Sequence, residues 1–454
     1  MPTSHDPDRQ DAMKRFFART AHGIKPGLEV TQAVLEPFGH PQKSFLSIHV
    51  AGTNGKGSVC AMIESVLRAA GLKTGLYTSP HLVNFNERIR VSGHCISDSD
   101  LAALMDEVES AADTVTRAKG LRPATFFELS TVMAYEHFRR QGVEIAVIET
   151  GMGGRWDATN VLDPLIAVIT GVHLDHTSYL GTDITAIAGE KAGIIKPGRP
   201  VVCGRLCDAA KTVVKTAARE ADASFIDMAE TISVRRVGED AGGQILRVEG
   251  ASASYGTLRS ALIGPHQLEN CALAVGVLEV LGAVYSMDIG AEAMGRGLAS
   301  CRWPARGQWL GREPRVLLDA AHNPDGAGAL VKILHTRDAG VKLGLVVGFL
   351  EDKDAPGFMK VLADAVDRCW VVPVESARSM PVPDMVAACR AAGLSPGHGE
   401  WETVWEEAVR WARRESAELC VAGSIYLAGA VLKRQWGEGG VCRWFAGADM
   451  EKTT

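Results

Sequence analysis

Residues 50–59 read VAGTNGKGSV. Gly52, Gly55 and Gly57 let the backbone turn tightly and point N–H groups inward, while Lys56 adds a mobile positive charge and Ser58 a hydroxyl. That combination suits a polyphosphate. The usual phosphate loop places Ser or Thr directly after the lysine, whereas here Gly57 intervenes, so the match to the common pattern is imperfect. A nucleotide triphosphate in such a loop brings magnesium, which takes oxygen ligands from hydroxyls, carboxylates, waters and phosphates. Ser79 ends LYTS before Pro80, Glu149 ends VEIAVIET before GMGG, and Asp175 with His176 follow ITGVHL. Each has a duller alternative: Ser79 could make a local turn bond, Glu149 could cap the next turn, and His176 could be a satisfied core histidine.

These residues need a frame that gathers them. FLSIHVAG, LKTGLYTS, VEIAVIET and LIAVITGV are apolar runs of strand length, each ending in small or polar residues and separated by longer helical patterns. This βαβ rhythm predicts an α/β fold with a mostly parallel sheet covered by helices. After the glycine-rich loop, Val59, Met62, Ile63, Val66, Leu67 and Ala70 recur at helical spacing, and Gly71 stands where the helix should stop. The loop therefore lies between a strand and a helix N-terminus, where free N–H groups and the helix dipole attract anions. In a doubly wound sheet the carboxyl ends of the strands form one rim, so the other candidates can converge on the same phosphates.

Near residue 300 the texture changes. LASCRWPARGQWLGREP has no clear period and is followed by a fresh strand-like series, RVLLDAAH, KLGLVVGF, RCWVVPV and ELCVAG. The expected organisation is an ATP-binding domain over 1–303 and a smaller Rossmann-like α/β domain over 304–454. Eight of the nine tryptophans lie beyond residue 300, where core packing explains most of them. The net charge of −6 argues against a nucleic-acid or anionic-membrane surface and leaves room for a locally basic cleft that takes a small anion. The ten cysteines form no CxxC pair, and Cys203 and Cys207 lack histidines at zinc spacing, so buried reduced thiols are expected. The polar start lacks the apolar core of a signal peptide, and no run of about 18 uncharged apolar residues occurs. A soluble cytoplasmic protein is expected, without a nucleic-acid or membrane partner.

AGTNGKGS, TSPHL, ETGMGGRWDATN, DHTSYLG, GEKAGIIKPG, GPHQLENCALA, DAAHNPDG and GSIYLAG occur in that order, and together they resemble the folylpolyglutamate synthase/dihydrofolate synthase family of the Mur ligase superfamily. The resemblance runs from about residue 20 to about residue 430. It implies a P-loop ATPase domain followed by a Rossmann-like domain, and an ATP-dependent ligase that joins L-glutamate to dihydropteroate or a reduced folate through an acyl phosphate. It also implies a role for each matching residue. Asn54, Gly55, Lys56, Gly57 and Ser58 would hold the ATP phosphates, with Asn270, Arg306 and Asp319 on the nucleotide. Ser79, Glu149 and His176 would bind two magnesium ions. His322, Ser424 and Tyr426 would line the glutamate site, and Thr125, Phe126, Phe127, Asp157 and Ala158 the pterin site. Lys56, Lys191 and His322 would serve catalysis, with Lys191 matching a lysine that the family can carry as a carbamate. The ordinary reading of Lys191 is a surface partner of Glu190. A monomer is expected.

The chain departs from the family at three places. Pro304-Ala305-Arg306 stands where Pro-Gly-Arg is common, Met152 and Trp156 stand where leucine is usual, and the first 20 residues match nothing useful. A muramyl ligase would need a whole UDP-binding domain before its phosphate loop, and only 51 residues precede Gly52. An ATP-dependent regulator without ligation would leave DAAHNP and GSIY with no substrate to hold.

Overall fold

The computed structural model describes residues 7–19, 25–175, 181–240, 242–338, 340–448 and 450. Among these, the strands form three sheets. The first contains, in chain order, β1 (Leu46–Ala51), β2 (Thr74–Tyr77), β3 (Ile89–Val91), β4 (His94–Cys95), β5 (Ile145–Glu149), β6 (Ile166–Ile169), β7 (Val201–Cys203) and β8 (Phe225–Asp227). Their spatial order is β4-β3-β2-β5-β1-β6-β7-β8, with parallel pairing from β2 to β8 and antiparallel pairing of β3 with both β2 and β4 at one edge. The order places β1 and its glycine-rich loop between β5 and β6, beside the carboxyl ends of both.

A strand covered on both faces must be apolar at every position, and β5 shows why alternation is hidden there. Ile145 and Val147 pack with Val59, Met62 and Ile63 of the helix Lys56–Ala69 on one face. Ala146 and Ile148 pack with Leu129, Val132 and Met133 of the helix Phe126–Gln141 on the other. The helix after the loop ends as its sequence predicts: Gly71 takes a φ of +92° and donates its N–H to the Arg68 carbonyl at 3.0 Å. The helix Pro265–Tyr285 is long and apolar enough to cross a membrane by length and composition, but it packs in the core against the Lys56–Ala69 helix.

The second sheet is an antiparallel meander of β9 (Ser233–Asp240), β10 (Gly243–Glu249) and β11 (Ser254–Ser260). Its strands carry many charges, and mainly Leu246 and Val248 of β10 reach the core, so a search for apolar runs passes over it. The third sheet contains β12 (Gln308–Leu310), β13 (Val316–Leu318), β14 (Leu343–Val347), β15 (Arg368–Val371), β16 (Gly397–His398) and β17 (Glu418–Ala422). Its order is β12-β13-β17-β14-β15-β16, with only β12 antiparallel. Trp370, Trp411 and Trp436 are buried in its core, as the crowding of tryptophans there predicts.

The segment 301–307 joins the helix Ala291–Ser300 to β12. Ala305 within it is fully buried and left-handed at φ +57°, a conformation that costs an alanine roughly 1–2 kcal/mol and a glycine nothing. Bonds hold it there: its N–H donates to Gln308 at 3.1 Å and its carbonyl accepts from the Ala320 N–H at 2.9 Å. Of the cysteines, seven are buried as expected. Cys95 and Cys442 are partly exposed and Cys207 is exposed, because each lies at a sheet edge, a short surface helix or a helix start.

Candidate active site

The loop leaves β1 and runs over the residues that follow β6. The Thr53 N–H donates to the Gly171 carbonyl at 2.9 Å, and the Thr170 hydroxyl donates to the Asn54 carbonyl at 2.6 Å. Gly55 then turns left-handed at φ +83° to open the helix, leaving the first-turn N–H groups facing outward. A Cβ on Gly55 would lie 2.5 Å from Asn270 Oδ1, and one on Gly57 would lie 2.6 Å from the Trp303 ring. Asn270 therefore flanks the loop and the linker tryptophan roofs it. The Ser58 hydroxyl accepts from Gln267 at 3.3 Å, and Gln267 accepts from Asn270 at 2.9 Å, which ties the loop to the Pro265–Tyr285 helix.

Two lysines converge on one carbonyl. Lys56 Nζ donates to the Gly52 and Thr53 carbonyls, both at 3.1 Å, and Lys191 Nζ donates to Gly52 at 2.9 Å. The reading of Lys191 as a surface partner of Glu190 is wrong: Lys191 is 3% exposed, and Glu190 faces Arg155 instead. The helix Ile184–Ala192 turns Lys191 inward on the buried stripe it shares with Ile187 and Ala188. Burial, then the nearby Lys56 charge, brings its pKa down to about 7, against the opposing pull of Asp175 and Asp157.

Glu149 ends β5 in register with Val50 and accepts the Ser79 N–H at 3.1 Å. Burial raises its pKa, opposed by Lys56, that Ser79 N–H, Arg306 and Arg88. A buried carboxylate facing three cations beside a serine is a donor pair that fits magnesium, with phosphate and water completing the shell. Among the described residues no three His, Cys, Asp or Glu side chains form a metal-binding group. His176 lies outside the described residues.

The third sheet closes the site. The carboxyl ends of β13 and β17 are neighbours, joined by Asp319 N–H to Val421 at 3.0 Å and Gly423 N–H to Ala321 at 2.7 Å, so His322 and Ser424 emerge side by side. Asn54 donates to Asp325 at 2.7 Å and Asn323 donates to Asp175 at 3.3 Å, linking phosphate loop to third sheet. His322 Nδ1 meets the Ala320 carbonyl at 2.9 Å, which turns Nε2 toward Asp175 at 3.6 Å. Ser424 caps the helix Ile425–Trp436 by accepting the Tyr426 N–H at 3.1 Å. Asp319 is a clamp between linker and strand, accepting the Gly307 and Ala321 N–H groups, both at 2.7 Å. Arg306 projects from the segment so held.

At the other end, Thr125 caps the helix Phe126–Gln141 in a reciprocal pair with Glu128. Phe126 packs among Phe16, Phe17 and Phe85, whereas Phe127 lies across Gly151, where a Cβ would meet its ring at 2.5 Å. Asp157 is buried and accepts the Met152 N–H at 2.8 Å and the Thr159 N–H at 3.0 Å, shaping the GMGG turn, with buried Ala158 beside it. Three participants escaped the reading of the sequence. Lys353 pairs with Asp175 at 2.8 Å, Asn323 bridges the halves, and buried Arg88 donates to His81 at 2.9 Å beneath the Phe126 ring. Lys353 shortly follows an apolar strand, the one signal that could have marked it.

Residues 50–278 match the Mur ligase middle domain and residues 305–426 the Mur ligase glutamate ligase domain. The dihydrofolate synthase/folylpolyglutamate synthase of Bacillus subtilis is 33% identical, covering 94% of this chain and 98% of that protein. The protein of the same description from Escherichia coli is 31% identical over 90% of this chain and 91% of its own length. Among solved structures, Mycobacterium tuberculosis folylpolyglutamate synthase complexed with ADP and AMPPCP superimposes with a TM-score of 0.87 at 32% identity, covering 97% of this chain and 99% of that one. An FPGS–AMPPCP–folate complex gives 0.81 at 32% identity, covering 94% and 99%. Because these likenesses span the phosphate loop, the linker and the third sheet together, the chain belongs to the folylpolyglutamate synthase/dihydrofolate synthase family of Mur ligases, ATP-dependent amide ligases of folate metabolism.

Proposed function

We propose that this enzyme ligates L-glutamate to dihydropteroate and to folates already carrying glutamate, with ATP as phosphoryl donor. The observation that carries the reading is the meeting of the phosphate loop with the HNPD turn of the third sheet, Asn54 on Asp325 at 2.7 Å. It sets a nucleotide site against His322, Ser424 and Tyr426, where an amine can wait. The domains divide at 303/304, and the enzyme acts as a cytoplasmic monomer.

A carboxylate is a poor acyl donor, so the substrate carboxylate first attacks the γ-phosphate and becomes an acyl phosphate; glutamate's amine then attacks the carbonyl carbon and phosphate leaves. Lys56 and the loop N–H groups offset charge on the transferring phosphoryl group. Ser79, Glu149 and His176 would hold magnesium, two ions in all, which when bound supplies further positive charge to the phosphates. His322 Nε2 and the Ser424 hydroxyl orient glutamate, and Trp303 with the closed halves keeps water from the acyl phosphate. Phosphate release should require glutamate and a pterin acceptor together, and mass spectrometry should show an acceptor heavier by one glutamate. Phosphate release with neither present would overturn the reading.

Lys191 becomes a carbamate in the active enzyme. Its amine loses a proton near pH 7, and only a neutral amine adds carbon dioxide, so burial prepares it for that reaction. A second ammonium beside Lys56 repels, whereas a carbamate reverses the sign and offers oxygen ligands. Lys191→Ala should lose turnover and regain part of it with added short carboxylates; absence of rescue, with unmodified lysine seen in a magnesium-bound crystal, would count against the carbamate.

The pterin rests beside Phe127. Its ring is half-buried across Gly151, while Phe126 is committed to the aromatic core. Phe127→Ala should weaken use of dihydropteroate more than use of a folate, read as kcat/KM for each acceptor. Equal losses would make Phe127 a packing residue, and no turnover of dihydropteroate by the unaltered enzyme would reduce it to a folylpolyglutamate synthase.

A further inference from the structure

We propose that Cys95 and Cys442 form a reversible disulfide that ties the β3–β4 hairpin of the first domain to the C-terminal helix Gly440–Phe445 of the second. The strands set one half of the site: Arg90 and Cys95 are directly opposed across β3 and β4, so their side chains share a face. The helix sets the other, since Cys442 and Phe445 lie three residues apart on one side of it. The Phe445 ring centroid is 3.9 Å from the Arg90 guanidinium carbon, so the face of the helix that carries Cys442 lies against β4, beside Cys95. The Trp303 ring covers Arg90 from 4.9 Å.

The surroundings suit thiol chemistry. Arg90 is buried, and among the described residues its Nε and Nη2 find no hydrogen-bond partner, so a cation with donors to spare stands beside the two cysteines. Such a cation stabilises a thiolate. Both residues are partly exposed, unlike Cys369 and Cys389, whose sulfurs are 3.9 Å apart but shut inside the third-sheet core. Contact with Cys95, burial and the nearby Glu87 carboxylate all keep the proton on Cys442, while Arg90 opposes them. Cys95, directly opposite Arg90 across the hairpin, is the attacking sulfur and Cys442 resolves. With a peroxide, the Cys95 sulfur attacks an oxygen and the O–O bond breaks, giving a sulfenic acid and water. The Cys442 sulfur then attacks that sulfur, the S–O bond breaks and a second water leaves. The two thiols lose two electrons and two protons in all, and the peroxide gains them.

The bond would matter because Phe445 also packs on Trp303, with ring centroids 6.1 Å apart, and Trp303 roofs the phosphate loop. A disulfide here fixes the linker and opposes the opening that releases product. This consequence rests on the proposed ligase reading, whereas formation of the bond does not. The full-length protein should be treated with hydrogen peroxide, alkylated and digested without reductant. A peptide pair joining Cys95 to Cys442, lighter by two hydrogens and released by dithiothreitol, is expected, with turnover lowered at least about tenfold and restored on reduction. Cys442→Ser and Cys95→Ser should each lose the linked peptide and keep turnover after peroxide. Free, alkylated thiols at both positions after oxidation would overturn the disulfide. A linked peptide with unchanged turnover would overturn the lock.

Discussion

Lys56→Ala is expected to lower turnover by at least about a hundredfold while the melting temperature stays close to that of the unaltered protein. The side chain is half-buried, and among the described residues its charged end donates to two carbonyls of its own loop, so truncation removes little packing. What it removes is the positive charge at the point where negative charge accumulates during phosphoryl transfer. The substitution has a second electrostatic effect. Lys56 is one of the two causes that lower the Lys191 pKa, so its loss should move that pKa upward and make the neutral amine scarcer at neutral pH. Steady-state phosphate release reads the turnover and a thermal melt the integrity of the fold, and near-normal turnover would remove Lys56 from the mechanism.

Glu149→Gln is expected to abolish magnesium-dependent activity. The amide has nearly the same shape and its oxygen can still accept the Ser79 N–H, so the end of β5 keeps its local bond. It is neutral, however, and a weaker ligand for a hard cation. It also leaves Lys56, Arg88 and Arg306 without the carboxylate that faces them. A magnesium titration of turnover distinguishes the roles: a curve equal to that of the unaltered enzyme would make Glu149 structural only.

Local physics made much of this protein legible in its sequence. The apolar run before VAGTNGKGSV, the helical period after it and Gly71 at its end are short-range signals, and β1, the loop and the helix Lys56–Ala69 stand where those signals place them. The strand runs of both halves are equally local, and so β2, β5, β6, β13, β14, β15 and β17 were readable. The meander β9–β11 was not, because edge and surface strands carry charge and their pairing depends on partners elsewhere.

Only the tertiary structure decided what the side chains do. Lys191 reads as a surface residue beside Glu190 until the helix Ile184–Ala192 packs inward and carries it to the Gly52 carbonyl. Asp319 and Asp157 read as ligand contacts, and only the fold reveals that their carboxylates also accept backbone N–H groups and shape the segments that bear Arg306 and Phe127's neighbour Gly151. Asp175 meets Lys353, 178 positions further on, and the hairpin that carries Arg90 and Cys95 meets the distant helix that carries Cys442. Turn chemistry and periodicity act over a few residues, whereas burial, ion pairing and pKa depend on which distant elements meet.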